Sequence, residues 1–514
     1  MLLHEAFIRN RQRFAEKVAV KAEEGAMTYE QFFQCSRRLA HHLCDSGLQK
    51  GDRVVLFMDN SLDTCVGIFG VLMAGGVFVL VNPTTKYNKL YYIINDCGAK
   101  ILITQQRRNL DRNRIIHEAL SLASVITDKM EAAINHAVTL EDIYQCPPAS
   151  TFLPRLIDVD LAALIYTSGS TGNPKGVVMT HHNMVSAATS IITYLENTPA
   201  DIVLNVLPLS FDYGLYQLLM SMTFGGTLVL EKDFVYPMAI LQRLLEEKIT
   251  GFPGVPTVFA LLFKTSLLER MDFPALRYIS NTGAALPIEF IKKLHISFPR
   301  ARIYSMYGLT ECKRVAYLPP EDIDRKPGSV GHAMPNCEVY LADDEGQPVQ
   351  RGKIGELYVR GSNVMQGYWN LPEETARALG PGRHAYERVL RSGDLFRMDE
   401  EGYLYFIGRK DDIIKSRGEK VSPREIENVL YQLEGIEEAA VIGVRDEVVG
   451  QAVKAFVKIT PPHRLTERQV IQHCAQNLEN FCVPKYVEFV DELPKSENGK
   501  IDKKQLKQKA HITG

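Results

Sequence analysis

The stretch LIYTSGSTGNPKGVVMTHHN, residues 164–183, places a polar, glycine-containing loop between two apolar runs. The flanking runs predict two buried strands, and a disordered linker seldom lies between such strands. Glycines let a backbone approach an anion closely, while hydroxyl and ammonium groups supply hydrogen-bond donors. The Walker spacing of phosphate loops is absent. The stretch therefore predicts a different phosphate-binding loop, with these candidate residues: Thr167, Ser168, Gly169, Ser170, Thr171, Gly172 and Lys175.

Outward from this loop, apolar β-rich runs alternate with helical patterns through most of the chain, as in RVVLFM (53–58) and VFVLV (77–81). Such alternation is typical of parallel sheets covered by helices on both faces. From about residue 325, short strands and glycine turns predict a small antiparallel, β-barrel-like part. After GRKDD (408–412), a helix start at Ser422-Pro423 opens a compact α+β unit. The expected fold is therefore α/β, with a large N-terminal domain and a small C-terminal one.

Composition limits the possible functions. The chain has 514 residues, 46% hydrophobic and 23% charged, with a formal net charge of −2. A near-neutral chain gives no reason to expect nucleic acid as a partner. The longest apolar run (65–81) is interrupted by Gly75-Gly76 and is somewhat short for a membrane span. Nine dispersed cysteines are typical of reduced thiols. We therefore expect a soluble, cytoplasmic protein without nucleic-acid or membrane partners.

Further motifs occur in a fixed order along the chain. They are MTYEQF (27–32), LMAGGVFVLVNP (72–83), the loop above, LPLSFDYG (207–214), NTGAAL (281–286), MYGLTE (306–311), GELYVRGSNVMQGY (355–368), RSGDL (391–395), GRKDDIIKSRGEKVSPREIE (408–427) and NGKIDK (498–503). With these motifs the whole chain resembles the adenylate-forming superfamily, which includes acyl-CoA synthetases, luciferase-like enzymes and adenylation domains of nonribosomal peptide synthesis.

The resemblance implies two half-reactions with ATP and Mg²⁺ as cofactors. A carboxylate first attacks ATP to give an acyl-adenylate and pyrophosphate, and the acyl group then passes to a thiol. Two anions meet in the first step, so charge neutralisation and positioning matter most. By resemblance, Lys500 would bridge carboxylate and α-phosphate, Thr310 would contact phosphate, and Glu311 would bind the metal. The alternatives are a solvated lysine-rich tail and a helix cap at Thr310-Glu311.

The resemblance also assigns nucleotide contacts and a hinge. Asp394 and Arg409 would bind the ribose hydroxyls. The adenine would be lined by Tyr307, Gly283, Ala284 and Ala285, and Gly308 would be a further ATP-binding residue. Asp411 matches the hinge about which the C-terminal unit swings between the two half-reactions. The expected domains are thus an AMP-binding core, residues 1–408, and a mobile lid, residues 411–514.

The acyl pocket decides the substrate. In amino-acid-activating relatives an aspartate at the position of Asp212 pairs with the α-ammonium group, and the alternative is that Asp212 caps a helix. The other positions that would line the pocket by resemblance are Tyr213, Tyr216, Ser280, Thr282, Met306, Arg314 and Val315. Their bulk favours a small amino acid of the glycine, alanine or proline type. Arg314 could reach a structural carboxylate or an acidic group on the substrate.

Three functions remain open at this point. The leading interpretation is a ligase that adenylates a small α-amino acid and loads it onto the phosphopantetheine of a separate carrier protein. The first alternative is an AMP-forming acyl-CoA ligase for a short carboxylic acid, in which Asp212 is only structural. The second is an inactive nucleotide-binding module, which is disfavoured by the joint presence of Lys175, Glu311, Asp394, Arg409 and Lys500.

Overall fold

The structure is a computed structural model of the full chain. It describes all residues except 106–113, 116–117, 120, 129–137, 147–152, 168–172, 233, 235, 266, 386, 417–418, 447–449, 497–499 and 513–514. The predicted phosphate-binding residues Ser168, Gly169, Ser170, Thr171 and Gly172 therefore lie outside the described residues.

The strands on either side of the polar loop belong to a largely parallel sheet. In spatial order its described strands are Gly367–Tyr368, Lys175–Thr180, Leu161–Thr167, Val77–Leu80, Arg53–Phe57, Ile101–Thr104, Ser124–Thr127 and Val138–Thr139. Leu161–Thr167 and Lys175–Thr180 pair antiparallel, with Thr167 opposite Lys175. The prediction of two buried strands around residues 168–172 is confirmed.

A second sheet carries the remaining predicted parallel strands. In spatial order its strands are His332–Ala333, Ala316–Tyr317, Arg302–Tyr307, Tyr278–Asn281, Gly251–Gly254, Ile202–Asn205, Thr227–Leu230, Val18–Ala22 and Gly25–Thr28. The four strands from Arg302–Tyr307 to Ile202–Asn205 are mutually parallel. Buried residues of both sheets belong to one continuous hydrophobic core. The strand ends at Asn281 and Tyr307 bring two of the predicted motifs side by side.

The third sheet confirms the predicted small antiparallel part. Its strands are Cys337–Ala342, Ile354–Gly361, Arg388–Met398, Leu379–Pro381 and Leu404–Arg409. The register of the last pair places Asp394 directly opposite Arg409. Two motifs that lie fifteen residues apart in sequence are thereby joined across one strand pair.

The C-terminal segment forms its own sheet and core. The strands are Glu419–Val421, Ile414–Ser416, Gly450–Ile459, Ile436–Asp446 and Tyr486–Phe489. Two hydrophobic clusters made of residues beyond 412, and packed apart from the main core, support this sheet. The predicted helix start is confirmed, since the Ser422 hydroxyl accepts a hydrogen bond from the amide of Glu425 at the first turn.

Helices cover the sheets, as the alternation of patterns predicts. The described helices are Leu3–Arg13, Tyr29–Asp45, Leu62–Met73, Tyr87–Cys97, Leu140–Gln145, His181–Leu195, Asp212–Phe224, Pro237–Glu246, Pro256–Phe263, Ile288–Ser297, Pro372–Ala378, Pro423–Leu430, Glu467–Asn477 and Lys503–Ile512. The long apolar run is a buried helix that ends at Met73, turns at Gly75 with φ +75° and continues as a strand from Val77. Among the described helices, none has the length and apolarity needed to cross a bilayer.

Candidate active site

The described edges of the polar loop lie beside a small polar cluster. Lys175 directly follows the loop, and its Nζ lies 2.6 Å from Glu374 Oε2. The same ammonium lies 5.4 Å from the centroid of the Tyr368 ring. The Tyr368 hydroxyl in turn donates a hydrogen bond of 2.8 Å to Glu311 Oε1. Tyr368 thus links Lys175, predicted to bind ATP, with Glu311, predicted to bind the metal.

The predicted metal ligand fits a magnesium site built with substrate phosphates. Thr310 and Glu311 lie in a turn after the strand Arg302–Tyr307, and no helix begins there in the described chain, so the helix-cap alternative is wrong. Within the described residues, no group of three or more His, Cys, Asp or Glu side chains could hold a metal. Mg²⁺ commonly uses one or two carboxylates and completes its shell with phosphates and water. Glu311 suits that role.

The predicted ribose contacts form a hydrogen-bonded group. The Tyr307 hydroxyl donates to Asp394 Oδ2 at 2.5 Å, and Arg409 Nε donates to Oδ1 at 3.3 Å. Burial raises the pKa of the Asp394 carboxyl, while Arg409 and Tyr307 hold that pKa down in part. A carboxylate has about four acceptor sites, so Asp394 can still accept from two hydroxyls of a ribose. The Tyr307 ring packs edge-on against Phe396 at 4.8 Å.

A lysine of the C-terminal unit reaches the centre of this site. Gly283, at φ +85°, follows the strand that ends at Asn281, and a Cβ there would lie 3.1 Å from Lys500 Cε. Lys500 Nζ also lies 5.1 Å from the centroid of the Phe211 ring. Burial lowers the pKa of Lys500, and the charge of Asp212 opposes that shift. Ala284 and Ala285 continue the same turn, with Ala284 exposed.

The predicted acyl pocket begins at Asp212. Asp212 is buried, 7% exposed, in the first turn of its helix. Phe211 is the N-cap, and no side chain caps the helix, so the capping alternative for Asp212 is wrong. The Tyr213 hydroxyl contacts Ser280 Oγ at 2.7 Å and donates to the Ser280 carbonyl at 2.8 Å.

The rest of the predicted lining is buried as well. Tyr216, Thr282, Met306 and Val315 each expose 4% or less of their surface. Met306 Sδ accepts a hydrogen bond from the Tyr194 hydroxyl at 3.0 Å. Thr282 Oγ1 has no hydrogen-bond partner among the described residues. The predicted lining therefore consists of bulky, buried side chains, and the small acyl pocket stays a prediction.

Two cations, one of them not predicted, lie against the aromatic rings of this lining. Lys313 is 1% exposed and its Nζ lies 5.8 Å from the centroid of the Tyr216 ring. Arg314 is 4% exposed, with Cζ 4.5 Å from the centroid of the Tyr213 ring. Burial lowers the pKa of Lys313 to about 8, against the charges of Asp212 and Glu311, which raise it. The pocket therefore combines one buried carboxylate with two buried cations.

Sequence reasoning missed four residues that build the site. Tyr368 and Glu374 hold the predicted Glu311 and Lys175, and Asn363 donates to the carbonyls of Cys312 and Arg314. Lys313, the fourth, adjoins the predicted Arg314 in the sequence TECKRV (310–315). The run of charges after the strand end was the available signal for Lys313. The others depend on pairings between distant strands.

Comparison with known proteins identifies the family. Residues 7–369 match the family described as AMP-binding enzyme, and residues 425–500 match its C-terminal domain. The chain belongs to this family. The superfamily resemblance and the expected fold are confirmed.

Curated relatives include both branches considered from sequence. A long-chain-fatty-acid–CoA ligase of Escherichia coli O157:H7 is 33% identical over 528 residues, covering 97% of this chain and 92% of the relative. A linear gramicidin synthase of Brevibacillus parabrevis is 30% identical over 98% of this chain but only 6% of its own length. The CoA ligase thus matches this family member along nearly its whole length.

Solved structures agree with this pattern. An anthranilate CoA ligase, AuaEII, in complex with anthranoyl-AMP has a TM-score of 0.92 at 27% identity, covering 100% of this chain and 98% of its own. ATP-bound MatB from Rhodopseudomonas palustris has a TM-score of 0.88 at 28% identity, covering 99% of both chains. The protein is an AMP-forming ligase that uses ATP and a carboxylic acid. The comparisons favour an acyl-CoA ligase over the amino-acid interpretation.

Proposed function

We propose that this AMP-binding enzyme activates a short carboxylic acid as its adenylate and transfers the acyl group to coenzyme A. The observation that carries the proposal is the position of Lys500, whose ammonium lies over Phe211 beside Gly283. The charges of the buried Asp212 and of Asp394, the proposed ribose ligand, both act on Lys500 and raise its pKa. An acid in the pocket would have its reacting carboxylate next to that ammonium.

In the first half-reaction the chain mainly neutralises charge and positions the reactants. Lys500 would lie between the carboxylate and the α-phosphate and reduce their repulsion. Asp394, Arg409 and Tyr307 would fix the ribose, while Lys175 would leave Glu374 and bind the pyrophosphate that departs. Mg²⁺ bound at Glu311 would supply further neutralisation of the phosphates.

The acceptor and substrate class follow from the relatives and the pocket together. Full-length CoA ligases support coenzyme A, whereas the relative from peptide synthesis matches only one part of a much larger protein. The amino-acid interpretation also loses its electrostatic basis, because an ammonium would meet two buried cations as well as Asp212. The bulky side chains around Tyr213 and Tyr216 leave little space for an acyl chain, which supports a short acid.

We also propose the division into residues 1–408 and 411–514, with the hinge at Asp411. In this structure the C-terminal unit is docked on the larger one. Lys264 Nζ lies 2.6 Å from Glu437 Oε1, and the Phe290 and Tyr431 rings lie 5.8 Å apart. With the C-terminal unit in this position, Lys500 lies beside Phe211 and Gly283, which supports its proposed role in the adenylation step.

The testing experiment measures AMP release and acyl-CoA formation, by coupled assay and mass spectrometry, with short acids, small amino acids and long-chain fatty acids. We expect acyl-CoA from a short acid, and Lys500→Ala should lower adenylation about 100- to 1,000-fold. Lys292→Met, a change at an exposed lysine of a surface helix, is the control. Aminoacyl transfer to a phosphopantetheinylated carrier protein without acyl-CoA formation would refute the proposal, and so would activity confined to long-chain acids.

A further inference from the structure

Lys313 and Arg314 are cations buried without an anionic partner. Neither forms an ion pair within 4.0 Å in the described part of the chain. Lys313 Nζ has no hydrogen-bond partner there, and neither has Arg314 Nε. Arg314 does donate one hydrogen bond, from Nη1 to the Lys313 carbonyl at 3.0 Å. Burying a cation in this way is costly unless a ligand supplies the missing charge.

The two side chains are held in place by the surrounding backbone. Asn363 Nδ2 donates to the carbonyls of Cys312 and Arg314 at 2.8 and 2.9 Å. Lys313 adopts φ +67°, a left-handed conformation that is uncommon outside glycine. A Cβ at Gly308 would lie only 2.0 Å from the Lys313 carbonyl oxygen, so only glycine fits there. The turn is therefore closely packed, and it fixes where both cations project.

Both cations lie against the aromatic lining of the acyl pocket. The Arg314 guanidinium carbon is 4.5 Å from the Tyr213 ring centroid, and Lys313 Nζ is 5.8 Å from that of Tyr216. Tyr213 and Tyr216 lie on one helix with Asp212 and project from its first turns. The pair of cations thus lies against Tyr213 and Tyr216, which we call the tyrosine wall. Lys500 lies instead at Phe211 and Gly283.

The charges at the tyrosine wall do not balance. Asp212 and Glu311 are the carboxylates whose charges act on Lys313, and Glu311 is committed to Tyr368 and the proposed metal. Two cations therefore face one remaining carboxylate. An added ammonium group would worsen the imbalance, while an added anion would remove it and gain charge-assisted hydrogen bonds.

We propose that the acid bears a second anionic group remote from the reacting carboxylate, and that Lys313 and Arg314 bind it. A short dicarboxylic acid satisfies both requirements, since Lys500 would receive one carboxylate and the cation pair the other. This inference rests on the proposed acyl-CoA ligase activity. Lys313 and Arg314 are then specificity-determining residues that contact the substrate.

The experiment compares acids that differ only at the distal group. Succinate is paired with butyrate, and glutarate with valerate, so that a carboxylate replaces a methyl group. Succinamate keeps the shape of succinate without its second charge, and 4-aminobutyrate reverses that charge. We expect kcat/KM for CoA-ester formation to be about 10- to 100-fold higher for the better dicarboxylate than for its partner acids. Lys313→Met should remove most of that preference, because kcat/KM should fall much more for succinate than for butyrate, with Lys292→Met as the matched surface control.

The outcomes separate the two proposals. CoA esters of butyrate or valerate, formed as efficiently as those of the dicarboxylates, would overturn this inference and leave the proposed function intact. Equal turnover of succinate and succinamate would also overturn it, because shape rather than charge would then be recognised. No CoA ester from any short acid would overturn both. The substrate comparison uses the parent protein, so it decides the question even if Lys313→Met fails to fold.

Discussion

At the proposed nucleotide end of the site, Asp394 accepts hydrogen bonds from Tyr307 and Arg409. At the proposed acyl end, Lys313 and Arg314 have no anionic partner within 4.0 Å in the described chain. Both ends bury charge. The nucleotide end supplies its own counter-charges, and its ligand, ATP, is the same in every cycle. The acyl end has one free carboxylate, Asp212, for two buried cations, and a substrate can supply the missing negative charge.

The two ends differ in whether a buried charge is paired within the protein, and this difference affects how strongly each end discriminates among ligands. A self-paired group is preorganised before the ligand arrives and needs little rearrangement on binding. An unpaired buried charge instead destabilises the free protein and discriminates strongly among ligands, because only a complementary one restores the balance. We therefore expect substitutions at the nucleotide end to impair the use of ATP, and substitutions at the acyl end to change which acid is used.

Among the substitutions that compare the two ends, the largest effect on catalysis is expected at the nucleotide end. Asp394→Asn removes the charge that Tyr307 and Arg409 bind and weakens acceptance from the ribose. A charged hydrogen bond contributes about 1.5–3 kcal/mol, so kcat/KM for ATP should fall roughly 10- to 150-fold. Steady-state kinetics at saturating acid measure this, with the exposed carboxylate change Glu345→Gln as control. An unchanged kcat/KM for ATP would contradict the ribose assignment.

A smaller effect, of opposite sign on stability, is expected at the acyl end. Lys313→Met replaces an unpaired buried ammonium with an apolar side chain of similar length. Replacing buried charge by apolar groups is neutral or stabilising by about 1–4 kcal/mol, so the free energy of unfolding of the ligand-free protein should not fall and should rise by about 1–2 kcal/mol.

Chemical denaturation of the two proteins at pH 7 measures this change in unfolding free energy. Chains with more than one domain often unfold in more than one step. The transition should therefore be followed by a probe in the large N-terminal unit as well as by total helix content. A loss of more than about 1 kcal/mol would mean that Lys313 is already paired in the free protein, and the contrast between the two ends would fail.

The residues that meet at the proposed nucleotide end were all named from sequence, whereas Lys313 at the proposed acyl end was not, and the roles of both sets stay predictions. Asp394 and Arg409 belong to short motifs that the family resemblance identified, and the structure pairs them across adjacent antiparallel strands. Lys313 was missed because nothing in a linear sequence distinguishes a buried lysine from a solvated one. Its burial depends on Asn363, which lies some fifty residues further along the chain and holds the turn from another element.

The layered fold was predictable for a related reason. Apolar runs such as Arg53–Phe57 and Val77–Leu80 are buried on both faces, and that condition is visible in composition alone. Two polar contacts were not predictable: that of Tyr368 with Glu311 and that of Lys175 with Glu374. Each joins segments that meet only after the sheets have assembled. Long-range polar contacts of this kind leave no periodic signal in sequence.

The smallest effect separates the two functions of Tyr213 at the acyl end. Its hydroxyl is bonded to Ser280, while its ring face lies against Arg314. Tyr213→Phe removes the hydroxyl alone, which should lower the free energy of unfolding by about 1 kcal/mol. The preference for a distal anionic group should persist, because the ring that supports the guanidinium remains.

The matched variant Tyr213→Leu removes hydroxyl and ring together. Without the aromatic face, Arg314 loses a cation–π contact that contributes about 1–2 kcal/mol in a desolvated site, and its position should become less defined. The ratio of kcat/KM for succinate to that for butyrate should then fall in Tyr213→Leu but not in Tyr213→Phe. If both variants lost the preference equally, the hydroxyl and Ser280 would be responsible for acid recognition, and the distal anion would have to be bound by neutral donors instead of by the two cations.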